Sequence, residues 1–336
     1  MPQPIFVSVA MCTYNGEKYI QEQLESIVQQ TVLPHEIIVC DDGSTDNTIG
    51  ILENFASKCI VPIKIYKNNA ALGVVKNFEK ALSLCSNNYI FLCDQDDVWL
   101  PNKVKTMVAY LEKHPKIEFL FSNATIVNQD LKSLGYTQQN MVRLNEIQKK
   151  KWSSNKQTEV MLGQNRATGC TVALKKSLLK IALPFPTNCS SLIHDNWLAW
   201  LATMNGSIDF IDSELTLYRQ HENQQIGTKT DTPLPAKKLK DRFNKNTQKQ
   251  DAIQKEYDYY YTLYQNLQAR IDGLNNEDFN SKINFLKMRC QLPKNIFFRI
   301  PIILKHILNK NYFRFKDQDL NYLASFKTII GDIFMI

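Results

Sequence analysis

A mainly parallel α/β sheet flanked by helices, followed by a helical C-terminal region, is the fold this sequence predicts. Three observations carry it. Short apolar runs alternate with helix-spaced segments over the first 125 residues, the pattern of βαβ units. Carboxylates fall directly after several of those runs, at the strand ends where open α/β sheets bind ligands. Beyond residue 236 the strand-like runs stop and only helical spacing continues.

Phe6 to Met11 reads as the first strand. Glu17 to Gln30 has helical spacing, with Tyr19, Ile20, Leu24, Ile27 and Val28 on one face. Glu36 to Cys40 is a second strand, ended by Asp41-Asp42-Gly43-Ser44, and Asp46 can cap a helix over Thr48–Phe55. Pro62 to Tyr66 is a third strand, followed by a helix over Val74–Leu84. Tyr89-Ile90-Phe91-Leu92-Cys93 is the fourth, and Asp94-Gln95-Asp96-Asp97 follows it. Pro101 suits the first turn of another helix, and Ile117 to Phe121 is a fifth strand. The pattern then weakens. Residues 138–165 mix helix and loop, strands return at Thr171–Leu174 and Leu215–Tyr218, and a helix spans Asp195–Met204. Polar residues and prolines at 222–236 mark a boundary. The expected domains are 1–225, catalytic, and 226–336, helical.

Three carboxylates within four residues repel one another and resist burial unless a cation or donors neutralise them. A divalent ion carrying a diphosphate meets that need, because Mg²⁺ is held by one or two carboxylates plus substrate phosphates. A solvated acidic turn is the plainer alternative for one such motif standing alone.

Thr13-Tyr14-Asn15-Gly16-Glu17, Asp41-Asp42-Gly43-Ser44-Thr45-Asp46 and Asp94-Gln95-Asp96-Asp97, in that order and each beyond a strand, resemble family 2 glycosyltransferases with the GT-A fold. The resemblance covers about residues 5–225, and the DQDDVW loop is similar to bacterial rhamnosyltransferases of that family. It implies that the Thr13–Glu17 segment, with Tyr14 and Asn15, contacts the nucleotide, and that Asp41 meets the uracil or thymine N3–H while Asp42 orients the loop. Asp96 is then expected on the ribose or the metal and Asp97 on the metal, Asp94 orders the loop or approaches the ribose, and Lys76 either offsets diphosphate charge or is a solvated helix lysine. Asp195, within His194-Asp195-Asn196-Trp197, matches the family's catalytic base; helix capping is its plain alternative. Arg219 and His221, in Tyr218-Arg219-Gln220-His221 with Asn223, match a segment that closes on the diphosphate, Arg219 on the donor and His221 on the metal or a phosphate. Trp99 is expected in the core. His35, His114 and His306 read as surface or packing residues.

The chain has 336 residues, 44% hydrophobic and 22% charged, an ordinary globular composition. Eight cysteines form no CxxC pair, which fits buried reduced thiols better than zinc or disulfides. No signal peptide and no span-length apolar stretch is seen, so a cytoplasmic location is expected. Residues 234–336 hold 18 Lys and Arg against 10 Asp and Glu, so the basic character belongs there. Residues 293–316 mix apolar side chains with Lys294, Arg299, Lys305, Lys310, Arg314 and Lys316. Two readings stand side by side: an interfacial segment on an anionic membrane, or a subdomain packed on the catalytic one. Pro293 and Pro301 limit a regular helix to the part after Pro301. No nucleic-acid module is present, so nucleic acid is not an expected partner.

The expected activity is inverting transfer of a hexosyl unit from a nucleotide-diphosphate sugar, with Mg²⁺ or Mn²⁺, to a saccharide hydroxyl. By resemblance it serves bacterial surface-polysaccharide synthesis on a lipid-linked acceptor, with dTDP-rhamnose the first donor and UDP-hexoses the second. A metal-dependent sugar nucleotidyltransferase and a non-catalytic membrane adaptor are the alternatives. The first would release pyrophosphate; the second would not turn over donor.

Overall fold

Apolar runs with no polar face need cover on both sides, and the strands here receive it from helices. In the computed structural model the described residues are 6–222, 246–314 and 322–334. Asn223, most of the 222–236 boundary and Lys316 lie outside them. Strands β1 (Val7–Thr13), β2 (Glu36–Asp41), β3 (Ile63–Lys67) and β4 (Tyr89–Cys93) alternate with helices α1 (Ile20–Val28), α2 (Thr48–Ala56) and α3 (Val74–Leu84). They pair in parallel in the order β3-β2-β1-β4. Register sets Thr13 opposite Asp41 and Met11 opposite both Val39 and Cys93. The carboxyl ends of β1, β2 and β4 therefore finish side by side, and the three motifs leave the sheet there.

Core packing follows the pattern. Val7, Val9, Met11, Ile37, Val39, Phe91 and Cys93 are buried with Ile20, Leu24 and Ile27 of α1. Trp99 is buried in the same core, as expected.

The other half of the sheet departs from the sequence reading. Strands β5 (Val98–Trp99), β6 (Phe119–Val127), β7 (Ser133–Thr137), β8 (Val172–Lys175) and β9 (Ile208–Arg219) continue the sheet in the order β4-β8-β6-β9-β5, with β7 on β6. Only β6 and β9 pair in parallel here; β8 is antiparallel to both its neighbours. Helices α4 (Lys103–Lys113), α5 (Gln138–Met141), α8 (Leu179–Ala182) and α9 (His194–Met204) belong to this half. Both β5 and β7 escape a reading by alternation. One has two residues, and β7 exposes four of its five. Helix α4 starts at Lys103, beyond Pro101.

Two compact units divide the chain, Met1–Leu144 with Arg166–Gly227 and Asn145–Asn165 with Thr228–Ile336. A single boundary near 225 does not anticipate that residues 145–165 join the C-terminal helices. The second unit contains α6 (Glu146–Ser153), α7 (Gln157–Gly163), α10 (Asn246–Gln268), α11 (Glu277–Cys290), α12 (Ile296–Leu308), α13 (Asn311–Arg314) and α14 (Tyr322–Ile333). Asp332 anchors its end. The Asp332 carboxylate accepts two bonds from Arg289, at 2.7 and 3.0 Å, and one from the Tyr312 hydroxyl at 3.0 Å. Helix α12 corrects the expectation that Pro301 would start it. Asn295 caps the Phe297 N–H at 2.9 Å, and the helix runs through the proline. No helix among the described residues is long and apolar enough to cross a membrane.

Candidate active site

Two loops that leave adjacent parallel strands must be tied together if they are to present fixed side chains. Here the ties are dense. Asn15, at φ +48°, takes a left-handed conformation that asparagine tolerates. Its N–H donates to Ser44 Oγ at 2.9 Å, and its Oδ1 accepts the Thr45 N–H at 2.8 Å. The Gly16 N–H donates to Thr48 Oγ1 at 2.7 Å. Gln95 clamps the first loop to the acidic one, accepting the Tyr14 N–H at 2.9 Å and donating to its carbonyl at 3.0 Å.

The ends of β1, β4, β8 and β9, with α3 and the start of α9, enclose a cavity of about 480 Å³, a size that suits a small-molecule ligand. Four carboxylates line it: Asp42, Asp94, Asp96 and Asp195. Thr13, Tyr14 and Asn15 line it too, and His221 and His194 complete its polar wall with Lys18 as the one lysine. Burial, then the charges of Asp96 and Asp195, push Asp94 up to about 7. Four acids with so little positive charge make a cavity that favours a cation.

Five expected residues lie off this cavity, each for a reason in its bonding. Asp41 is saturated by its own loop. It accepts from the Gly43 and Ser44 N–H groups at 3.1 and 2.8 Å, Ser44 Oγ at 2.6 Å and Thr13 Oγ1 at 2.7 Å. Asp41 is thus held by its own loop, and Asp42 is the one of the two that lines the cavity. Asp42 accepts from the Leu72 and Gly73 N–H groups and from Asn68, which leaves its Oδ2 with a free lone pair. Glu17 accepts the Asn47 N–H at 2.8 Å, and Lys76 pairs with Glu79 at 2.8 Å. Arg219 is buried. It donates to the carbonyls of Asp96 and Gln129, pairs with Glu22 and lies 4.5 Å from the Tyr19 ring. Arg219 thus braces the acidic loop from behind. Asp97 is buried as well, and its Oδ1 accepts the Arg219 N–H at 3.0 Å. Asp46 accepts the Thr48 N–H at 3.0 Å, but the N-cap of α2 is Asn47, so Asp46 stands one position before the cap expected of it.

One acid–histidine pair and one group of three ligand atoms are the candidates for a divalent ion. At the cavity wall Asp96 Oδ2 lies 2.9 Å from His221 Nε2. Asp94, on the same wall, and the buried Asp97 and Cys170 bring one ligand atom each to within 4.8 Å of one another, and Asp97 Oδ2 has no hydrogen-bond partner. Burial raises the Cys170 thiol well above its ordinary range, so it stays protonated, and a hard cation prefers oxygen to sulfur. Asp96 and His221 line the cavity, as Asp94 does. Lys103 supplies charge beneath the cluster. Fully buried, it donates to Thr216 Oγ1 and the Cys170 carbonyl, and burial lowers it to about 8. No spacing in the sequence marks that lysine.

Asp195 stands at the second position of α9 rather than at its cap, which is Ile193. The Gly169 N–H donates to its Oδ2 at 2.8 Å and the Asn196 N–H to its Oδ1 at 2.6 Å. Burial pushes it up to about 6, within reach of general-base work at neutral pH. His194 went unmarked in the sequence. Its ring stacks on Phe78 at 3.8 Å, and neither ring nitrogen has a partner although both are buried. Burial holds it down to about 3, so the imidazole is neutral. Gly169 lets this wall close. A methyl there would sit 3.1 Å from His194 Nε2, 3.6 Å from Asp94 and 3.7 Å from Asp195.

The family model for glycosyl transferase family 2 matches residues 8–180. The chain belongs to glycosyl transferase family 2. The dTDP-rhamnosyl transferase RfbG of Shigella flexneri is 32% identical over 239 residues, 68% of this chain and 78% of that protein. The UDP-Glc:alpha-D-GlcNAc-diphosphoundecaprenol beta-1,3-glucosyltransferase WfgD of Escherichia coli is 31% identical over 202 residues, 59% and 69% of the two chains. Residues 1–349 of S. aureus TarS, solved with UDP-GlcNAc, share the fold at a TM-score of 0.56 and 18% identity, covering 98% of this chain and 82% of that one. The protein is a glycosyltransferase with the GT-A architecture that its motifs imply.

Proposed function

We propose that this family 2 glycosyltransferase moves a hexosyl unit from a nucleoside-diphosphate sugar to a hydroxyl of a saccharide acceptor, with inversion. One observation carries the reading. Asp195, buried and fixed by two backbone N–H groups, shares a cavity wall with Asp42, Asp94 and Asp96. Asp195 takes the proton of the acceptor hydroxyl as that oxygen bonds to the anomeric carbon. The bond from that carbon to the diphosphate oxygen breaks, and the nucleoside diphosphate leaves with the electron pair. Asp96 and His221 would hold Mg²⁺ or Mn²⁺, which when bound offsets the charge of the departing diphosphate. The likeness to RfbG supports dTDP-rhamnose as the first donor, and the likeness to WfgD keeps UDP-hexoses second and supports a lipid-linked acceptor. The enzyme would then serve surface-polysaccharide assembly as a peripheral protein on the inner face of the cell membrane.

Screening purified protein against nucleotide sugars with Mg²⁺ or Mn²⁺ tests this. Nucleoside diphosphate release, fastest with dTDP-rhamnose, is expected. Pyrophosphate release would make it a nucleotidyltransferase, and no turnover of any donor would leave only an adaptor.

His194 supplies a neutral donor-acceptor pair of the kind sugar hydroxyls require, on a wall that it shares with Asp94 and Asp195. Leaving a substrate hydroxyl without its built partner costs 1–3 kcal/mol in a desolvated site, roughly 10- to 100-fold. His194→Ala is therefore expected to lower kcat/KM for the sugar donor by about that factor. Affinity for the nucleoside diphosphate alone, measured by calorimetry, should stay unchanged.

A further inference from the structure

Helix α12 is amphipathic in an inverted sense for a soluble protein. Its anchored side is partly polar and its exposed side is apolar. Arg299 is buried and donates to the carbonyls of Pro293 at 2.7 Å and Ile333 at 3.1 Å. Ile303, one turn on, is buried as well. Those two side chains fix which way the helix faces. On the other side Phe297 and Leu308 are each 80% exposed, Phe298 68% and Leu304 52%. Among the described residues none of these four side chains is buried. Phe297, Leu304 and Leu308 stand at i, i+7 and i+11, one face of the helix. On α14, which packs beside α12, Phe326 and Ile330 stand at i and i+4, with Phe334 just beyond the helix end, and each is about half exposed. A soluble monomer seldom leaves so much contiguous apolar surface uncovered.

We propose that this face is an interfacial anchor that lies on an anionic lipid bilayer. Charge selects that occupant. Lys305 is exposed on α12, Lys294 and Lys310 are exposed just before and just after it, and Lys327 is exposed on α14. Helix α12 contains no acidic residue. Among the described residues, two acids of the same unit are held in ion pairs, Asp332 with Arg289 and Asp278 with Arg314. A second copy on the same face would set lysine against lysine. Acidic headgroups would pair with the lysines while the phenylalanines and leucines enter the acyl boundary. At 13 residues the helix is about 20 Å long, too short to span a bilayer, so it lies in the plane. The proposal deepens the reading of a lipid-linked acceptor yet rests on different residues.

Sedimentation of the full chain with phosphatidylcholine vesicles, with and without phosphatidylglycerol, tests it. Binding is expected only with phosphatidylglycerol, and it should weaken as salt rises. Phe297→Ser with Leu308→Ser, both surface changes, should reduce binding at least about tenfold. Lys294→Glu with Lys305→Glu and Lys310→Glu should do the same. Thermal melts should stay near wild type, and donor turnover with a water-soluble acceptor should be unchanged. The proposal falls if no vesicle binds the protein, if the substitutions leave binding intact, or if ultracentrifugation shows a dimer that the serine variant dissolves. Failure of donor turnover with vesicle binding retained would overturn the transferase reading and leave the anchor standing.

Discussion

Asp195→Asn is expected to reduce the transfer rate by about 10³-fold while donor affinity is kept. General-base catalysis contributes roughly 10²- to 10⁴-fold, and the amide cannot accept the acceptor proton. Burial sets Asp195 at about 6, so kcat/KM in the wild type should rise about tenfold per pH unit below that value and level off above it. Stability should move the other way. A solvated aspartate titrates near about 3.9, and this one titrates higher in the folded protein, so folding favours its protonated form. Ionisation therefore costs stability progressively as pH rises from about 4 to 6. The full penalty above that window is on the order of 3 kcal/mol as a ceiling. Asparagine carries no such penalty, but its one amide oxygen can accept only one of the two N–H groups that fix Asp195, from Gly169 and Asn196, and the lost bond costs about 1–3 kcal/mol. At pH 8 the two effects nearly offset and the unliganded variant should melt close to wild type, while near pH 4 it should melt below it. A variant that melts well below wild type at pH 8 would return Asp195 to a structural role, and one that still transfers would remove the base.

The parallel half of the sheet was legible because its strands are continuous apolar runs, each closed by a polar turn. Tyr89–Cys93 and Val74–Leu84 appear with the expected bounds. The mixed half was not. Chain direction in β8 is set by pairing with β4 and β6, which leaves no local mark. Residues 145–165 also gave no sign that they pack with helices a hundred residues away. Within the site, the motifs located the cavity but not the division of labour among neighbouring acids. Asp41 and Asp42 differ by one position, and the backbone turn at Gly43 and Ser44 decides which of them is consumed by the loop. Asp96 and Asp97 divide likewise, because the Arg219 N–H takes one of them. His194 stayed hidden for a different reason. Its role rests on what is missing around the ring, and the absence of a partner leaves no trace in a sequence.

That division yields the second large effect. Asp96→Ala should lose most metal-stimulated transfer, on the order of 10²- to 10³-fold, if the ion's contribution to leaving-group stabilisation matches other electrostatic deletions. His221→Ala should lose less, because phosphate and water oxygens can replace one nitrogen in the shell of a hard cation. Asp97→Asn is the informative contrast. Burial, then Asp96 and Asp94, raise Asp97 well above the ordinary carboxylate range, and its bonded oxygen can still accept the Arg219 N–H as an amide oxygen. Its effect on metal affinity should be small. Cys170→Ser should likewise change little, since the thiol it replaces is protonated. Calorimetric titration of Mn²⁺ in the presence of a nucleoside diphosphate reads these affinities without relying on turnover. Asp96→Ala should weaken the titration at least tenfold, about 1.4 kcal/mol, and Asp97→Asn and Cys170→Ser by less than a third of that. The reverse order would place the ion in the buried Asp94–Asp97–Cys170 cluster, and the unpaired oxygen of Asp97 would then be a ligand and not a by-product of how Arg219 is anchored.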